Sequence, residues 1–255
     1  MPFLIIMFAL TGCGNDINKD ADTKPKKYVV GLDDEYAPMG FRDEKGEIVG
    51  CDVDLAKETA KRMGVEFEFR PIIWDKKEAE LNSGRIDIIW NGLDITPERQ
   101  VHFLYSRPYM DNRQLLLVKK SRGLHIKSIQ DLKGKIVATQ SGSNSEYYVE
   151  RDDAMRNSFT NFVTYPTFNK AFKALLEERI DVLIVDEIAG RYEIARHNEL
   201  ELIEITIGDE TKIGIGFRPN DKDLRNEVQK AFDEIIADGT AKKISDKWFN
   251  ANLIK

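Results

Sequence analysis

From Tyr28 onward, short runs of β-favouring residues alternate with amphipathic stretches of helical period, and that alternation restricts the chain to α/β architectures. Tyr28–Leu32, Val65–Pro71, Ile86–Trp90 and Leu115–Lys119 read as strands. Between them, Asp52–Met63 places Val53, Leu55, Ala56, Ala60 and Met63 at helical spacing and stops before Gly64. Lys76–Asn82 reads as a shorter helix, closed by Ser83-Gly84. A second unit follows. Ser128–Leu132 is a capped turn, Lys135–Thr139 a strand, and Ser143–Arg151 a helix. Asn169–Glu178 is a helix with Ala171, Phe172, Leu175 and Leu176 on one face; Ile180–Val185 is a strand and Glu187–His197 a helix. Lys212–Phe217 is a strand in a polar stretch, and Lys222–Ala237 and Thr240–Phe249 are helices parted at Gly239. A length of 255 residues fits two compact units or one large one.

The segment before Tyr28 has a different character. Phe3 to Gly12 is an apolar run too short to span a bilayer, closing on small residues, as the core of a signal peptide does. Leu10-Thr11-Gly12-Cys13 resembles the bacterial lipobox, which implies a lipidated Cys13 as the mature first residue. The alternative is a chance apolar segment with a core cysteine. No Lys or Arg precedes the run. Residues 14–27 are polar and charged, the composition of a flexible tether. A net charge of -6 without a basic block argues against a nucleic-acid binder. Two cysteines, Cys13 and Cys51, make no disulfide framework, and no Cys/His cluster has metal-ligand spacing.

Six stretches carry a resemblance: Gly31–Pro38, Gly50–Ala56, Gly92–Arg99, Gln140–Ser143, Ile180–Asp186, and Asp238-Gly239-Thr240 to Trp248-Phe249. Each alone is weak. In this order, from Tyr28 to the last residues, they resemble the type 3 extracellular solute-binding proteins for polar amino acids, among them lysine/arginine/ornithine- and glutamine-binding proteins. The resemblance implies a two-lobed, type II periplasmic-binding-protein-like α/β fold, with a hinge of two crossing strands. Residues 28–112 and 212–255 would form lobe one and 113–211 lobe two. It also implies a monomer without cofactor or catalytic residues. Anchored outside the cytoplasm by lipid, it would capture an amino acid and deliver it to an ABC permease.

Matched to the family's motifs, Arg99 takes the ligand's α-carboxylate, because a guanidinium offers two parallel donors to two oxygens. Asp186 takes the α-ammonium, caps the following helix, or does both. Ser143, Asn144 and Ser145 open a helix whose amides add to the carboxylate grip or serve ordinary capping. Asp33, Tyr36, Trp74 and Gln140 select the side chain, and Asn91 and Gly92 line the same cleft. The histidines His102, His125 and His197 lie outside the motifs and read as surface or structural groups.

Asp94 departs from the pattern, which has Ser or Thr two residues after the glycine. A carboxylate there repels the ligand's own, by roughly 4 kcal/mol at about 4 Å and an effective dielectric near 20. Asp94 is therefore protonated, pairs with Arg99, or faces a ligand carrying extra positive charge. Counting Asp33, Asp94 and Asp186 against Arg99 favours a basic ligand. Cys51 stands where the family has Phe, which predicts looser packing. Two other functions fit the same fold: a cyclohexadienyl-dehydratase-like enzyme, with Asp94 as its acid or base, and a ligand sensor working through a separate receptor.

Overall fold

The structure, a computed structural model, describes residues 25–255. The apolar run, Cys13 and residues 14–24 of the tether lie outside the described residues.

Strand β1 (Lys27–Leu32) is followed by the short strands β2 (Glu35–Tyr36), β3 (Gly40–Arg42) and β4 (Ile48–Val49), which make a small separate sheet. Helix α1 (Cys51–Met63) carries Asp52 and Asp54 in its first turn and Lys61 and Arg62 in its last, complementing the helix dipole. It ends at Gly64, whose φ of 68° is the left-handed conformation that closes helices. Next come β5 (Glu66–Pro71), a 3-10 turn at Trp74–Lys76, α2 (Lys77–Asn82), β6 (Ile88–Ile95), α3 (Arg99–His102), β7 (Leu104–Tyr105) and β8 (Met110–Lys119). The chain continues through β9 (Ile136–Gln140), α4 (Asn144–Arg151), α5 (Asp153–Ser158), β10 (Asn161–Tyr165), α6 (Phe168–Leu176), β11 (Val182–Asp186) and α7 (Glu187–Arg196). Strand β12 (Leu200–Phe217) and helices α8 (Lys222–Ala237) and α9 (Thr240–Phe249) complete it.

One sheet runs through the molecule in the order β10-β9-β11-β8-β12-β6-β1-β5, with β7 paired to β12. At each end the strands are parallel: β6-β1-β5 on one side and β10-β9-β11 on the other. Such strands are covered on both faces and read as continuous apolar runs, as Ile88-Ile89-Trp90 and Val182-Leu183-Ile184-Val185 do. Joining the two ends are β8 and β12, antiparallel to each other. The first residues of β12, Leu200–Ile203, pair with Leu116–Lys119 of β8, and its last, Lys212–Phe217, pair with β6. This is the crossing-strand hinge of the type II fold. The pairing loses register between Ile203 and Thr211, around Gly208, where φ is 72°.

The largest apolar cluster extends from Val30, Trp90 and Phe232 to Phe168 and Leu183, so both parallel ends share it. Each fully buried Leu, Ile or Phe in it contributes roughly 1.5–3 kcal/mol. Cys51 is fully buried within this cluster, at the first turn of α1.

Three strands run well beyond what the apolar pattern predicts, β8 among them, which begins at Met110 rather than Leu115. β6 continues past Trp90 through Asn91-Gly92-Leu93-Asp94 to Ile95, and β12 begins at Leu200 rather than Lys212. In β12 the early residues are half-exposed and include Glu201, Glu204, Asp209 and Glu210, so backbone pairing rather than an apolar face defines the strand.

Candidate functional site

The carboxyl ends of the parallel strands meet where the two ends of the sheet face each other, the place where α/β sheets bind ligands. Asp33 follows β1, Asp94 lies near the end of β6, and Gln140 and Asp186 are the last residues of β9 and β11. Together with Tyr36, Trp74, Asn91, Gly92, Arg99, Ser143 and Asn144 they surround one pocket. Its volume between atoms is about 280 Å³, solvent at its mouth included. Of the residues the sequence proposed for the cleft, all but Ser145 are therefore brought to one place; Ser145 is buried behind it and bonds Gln114. Phe168, at the start of α6, joins them and stacks on Tyr36 with ring centroids 5.6 Å apart.

The pocket's charges are almost fully buried: Asp33 is 4% exposed, Asp94 2%, Asp186 7% and Arg99 9%. Burial pushes the Asp33 carboxyl up to about 6, against the opposing pull of the Glu35 amide and the Gln140 carboxamide, which donates to Asp33 Oδ2 at 2.5 Å. Asp94 is likewise driven up, by burial first and by the Asp186 charge second, while Arg99 pulls the other way.

Two of the open alternatives are decided by geometry. Arg99 does not pair with the Asp94 carboxylate: its Nη1 donates to the Asp94 backbone oxygen at 3.4 Å and its Nη2 to the Gly142 oxygen at 3.1 Å. The Asp94 carboxylate instead accepts at Oδ1 from Asn112 Nδ2 (2.9 Å) and Thr211 Oγ1 (2.6 Å). Asp186 does not cap α7 with its side chain. It accepts from Tyr36 Oη at 2.8 Å, Asn112 Nδ2 at 2.5 Å and Gln114 Nε2 at 2.7 Å. Ser143 does cap α4, accepting from the Glu146 amide at 3.1 Å. Two cleft carboxamides keep spare hydrogen-bonding capacity among the described residues: Asn91 at Nδ2, and Asn144 at both Nδ2 and Oδ1. Buried polar atoms of this kind are costly unless they are partnered, and Asn91 Nδ2 lies close to Gly40.

Sequence reasoning missed several groups. Lys77, 8% exposed, donates to Gly142 O at 2.8 Å and lies 5.1 Å from the Trp74 ring centre. Burial, then the nearby Arg99 charge, pulls its ammonium down to about 7. Asp52, fully buried and pushed by burial up to about 7, accepts from Tyr109 Oη and from the Gly92 amide, each at 2.7 Å. It thereby holds Gly92 at a φ of 58°, where a Cβ would stand 2.7 Å from the Tyr36 ring. Helical spacing was the one available signal for Lys77, and the residue opens α2 as a surface lysine would. The histidines are on the surface, His102 beside Glu78 and His197 beside Glu193 and Glu199. No group of metal-ligating side chains occurs among the described residues.

A single sheet bridged by two crossing strands, with a buried charged pocket at the facing strand ends, defines a two-lobed solute-binding protein of the type II periplasmic fold. The chain belongs to the bacterial extracellular solute-binding proteins, family 3, whose model matches residues 28–251. It is 32% identical over 227 residues to the L-cystine-binding protein TcyJ of Escherichia coli (strain K12), spanning 89% of this chain and 84% of that protein. It is 30% identical over 255 residues to the arginine-binding extracellular protein ArtP of Bacillus subtilis (strain 168), covering 96% of this chain and 94% of that one. A crystal structure of an ABC uptake transporter substrate-binding protein from Streptococcus pneumoniae, with bound histidine, superposes with a TM-score of 0.85 at 34% identity, over 90% of this chain and 94% of that one. The family and the named relatives are solute-binding proteins, not enzymes, so the chain is a solute-binding protein and the dehydratase alternative is not favoured. Among the described residues no helix is long and apolar enough to cross a membrane.

Proposed function

We propose that this chain captures an amino acid with a cationic side chain and hands it to an ABC importer, closing two lobes around it. The observation that carries the reading is the imbalance of buried charge: Asp33, Asp94 and Asp186 border a pocket into which Arg99 alone brings a full positive charge. A buried carboxylate without a cation costs several kcal/mol, so a ligand with two positive groups and one negative suits the cleft better than a zwitterion. Lys77 moderates the imbalance from behind Trp74 without lining the pocket. In this reading Arg99 binds the α-carboxylate with help from Ser143 and Asn144, and Asp186 the α-ammonium. Gly92 and Asn91 shape the wall beside them. The side chain runs between Tyr36, Trp74 and Phe168 towards Asp33 and Gln140, where aromatic faces and a carboxylate suit a guanidinium or ammonium. The relative that binds arginine supports this class, while the histidine-bound structure and the cystine binder are cases of ligands without a fixed side-chain charge.

The lobes divide at Asn112/Arg113 and Thr211/Lys212, within β8 and β12. Cys13 carries a lipid anchor and residues 14–27 tether a monomeric binding unit outside the cytoplasmic membrane. Calorimetry against L-arginine, L-lysine, L-ornithine, L-glutamine and L-glutamate tests the ligand class on the parent and on Asp94→Thr. Tightest parent binding of a basic ligand is expected; preference for glutamate overturns the reading, and binding seen only in Asp94→Thr makes the parent site a disabled one. For the anchor, Cys13→Ala should move the protein into the soluble fraction, and retention on membranes after a carbonate wash refutes it.

A further inference from the structure

Four neighbouring strands each contribute one polar residue to a single row across the hinge. Along β11-β8-β12-β6 these are Asp186, Asn112, Thr211 and Asp94. Register places them on one face: Asp186 pairs with Gln114, two residues from Asn112; Asn112 pairs with Thr211; and Asp94 pairs with Ile213, two residues from Thr211. The row closes through hydrogen bonds. One nitrogen, Asn112 Nδ2, donates to Asp186 Oδ1 at 2.5 Å and to Asp94 Oδ1 at 2.9 Å, using both of its hydrogens. Thr211 Oγ1 adds a donor to the same Asp94 oxygen at 2.6 Å. Asp94 Oδ2 has no donor among the described residues, although the side chain is buried against the pocket.

We propose that Asn112 is a positioning residue of the cleft: its carboxamide nitrogen holds the two carboxylates, one from each lobe, side by side and favours their ionised form, so that they receive one ligand ammonium group together. This rests on the cationic-ligand reading for its ligand and on hinge geometry for its mechanism. Two buried carboxylates brought close cannot both stay ionised without donors, and they exchange protons as a pair. A carboxamide is the economical bridge, because it donates twice from one atom and carries no charge that would neutralise the pair and weaken its hold on a cation. The other groups facing the pair are Arg99, which lies near Asp94, Tyr36 on Asp186, Tyr105 on the Asp94 backbone oxygen, and Tyr148 of α4. Arg99 is the only cation among them, and its donors go to backbone oxygens, so the hinge amide is the link between the two acids.

The test is a titration of the pair in protein labelled at aspartate carboxyl carbons, followed by NMR from about pH 4 to 9, with and without L-arginine. Asn112→Leu removes the donor at similar volume. The expected result is a midpoint for the first proton raised by about one pH unit, a tenfold higher proton affinity, in the variant without ligand. L-arginine should lower the midpoint in the parent and do so less in the variant. Asn112→Ser, a smaller change that keeps one donor, should fall between them and stands in if the leucine variant does not fold. A midpoint unmoved by either substitution overturns the proposal and leaves Asn112 a packing residue of the hinge. Should L-arginine leave the parent's curve unchanged, the ligand reading fails by itself, and the ligand-free comparison still decides the role of Asn112.

Discussion

Gly142→Ala tests whether the arrangement that sets Gly142 against Asp75 is the one that holds ligand. Gly142 lies between β9 and α4, in the proposed second lobe, with φ at 73°, and a Cβ added there would stand 2.6 Å from Asp75 Cα and 3.0 Å from Asp75 N, in the proposed first lobe. Both neighbours are backbone, so neither can rotate away. The left-handed φ adds about 1 kcal/mol of strain whether the lobes are apart or together, and this lowers stability without touching affinity. The interlobe contact behaves differently, because it forms only on closure. Keeping Cβ clear of Asp75 displaces Gly142 O, which accepts from Arg99 at 3.1 Å and Lys77 at 2.8 Å. Bonds from charged donors are worth about 1.5–3 kcal/mol each, so weakening both should cost at least about 2 kcal/mol of closure, roughly a 30-fold weaker Kd. Calorimetry with the best basic ligand reads the affinity, and thermal melting of ligand-free protein reads the strain separately. A Kd within about twofold of the parent, which is about 0.4 kcal/mol, would show that ligand is held in a looser arrangement than this one.

Further outcomes follow from the same contacts. Tyr36→Phe removes the donor to Asp186 Oδ2 while keeping the ring against Phe168, and calorimetry should show about a tenfold loss of affinity, the worth of one hydrogen bond to a charged group. Arg99→Lys keeps the charge but not the paired donors, and should weaken binding by more than tenfold with little change in the melting temperature of the ligand-free form. Stability should also have a minimum near neutral pH. Asp33, Asp52 and Asp94 keep protons when folded up to about 6, 7 and 7, whereas unfolded carboxyls release theirs near pH 4, so stability falls as pH rises through that window. Lys77 loses its proton near 7 when folded and only above about 10 when unfolded, so stability climbs again over that higher range. Urea midpoints from about pH 5 to 9.5 test both limbs, and a curve that rises steadily to pH 7 refutes the burial of these carboxyls.

What could be read from the chain alone follows the range of the forces involved. Helices such as α8 and α9 were legible residue for residue, because apolar spacing and the Gly239 break are local signals. The cleft residues were legible only as family motifs, since they come from strand ends (Gln140, Asp186), from within β6 (Asn91, Gly92) and from helix starts (Arg99, Asn144). β6 was cut short at Trp90 because Asn91, Gly92 and Asp94 look like a turn, yet backbone pairing with Gly214 and Ile213 carries the strand on to Ile95. Asn112, Gln114 and Thr211 gave no sign of their roles. Their partners are 72 to 117 residues away for the bonds to Asp186 and Asp94 that leave Gln114 and Thr211, and strand register alone brings them together. Phe168 lay one residue outside the helix expected from Asn169; it opens α6 and offers its ring to Tyr36.

The passage of β12 from one half of the sheet to the other bears on how the molecule comes apart. A strand whose first residues complete one set of pairings and whose last complete another cannot leave either set alone. A shift of one residue along it would turn side chains inside out on both sides of the hinge at once. The two lobes proposed to close on a ligand are thus tied in folding, and heating should take them through one cooperative transition rather than two separate meltings.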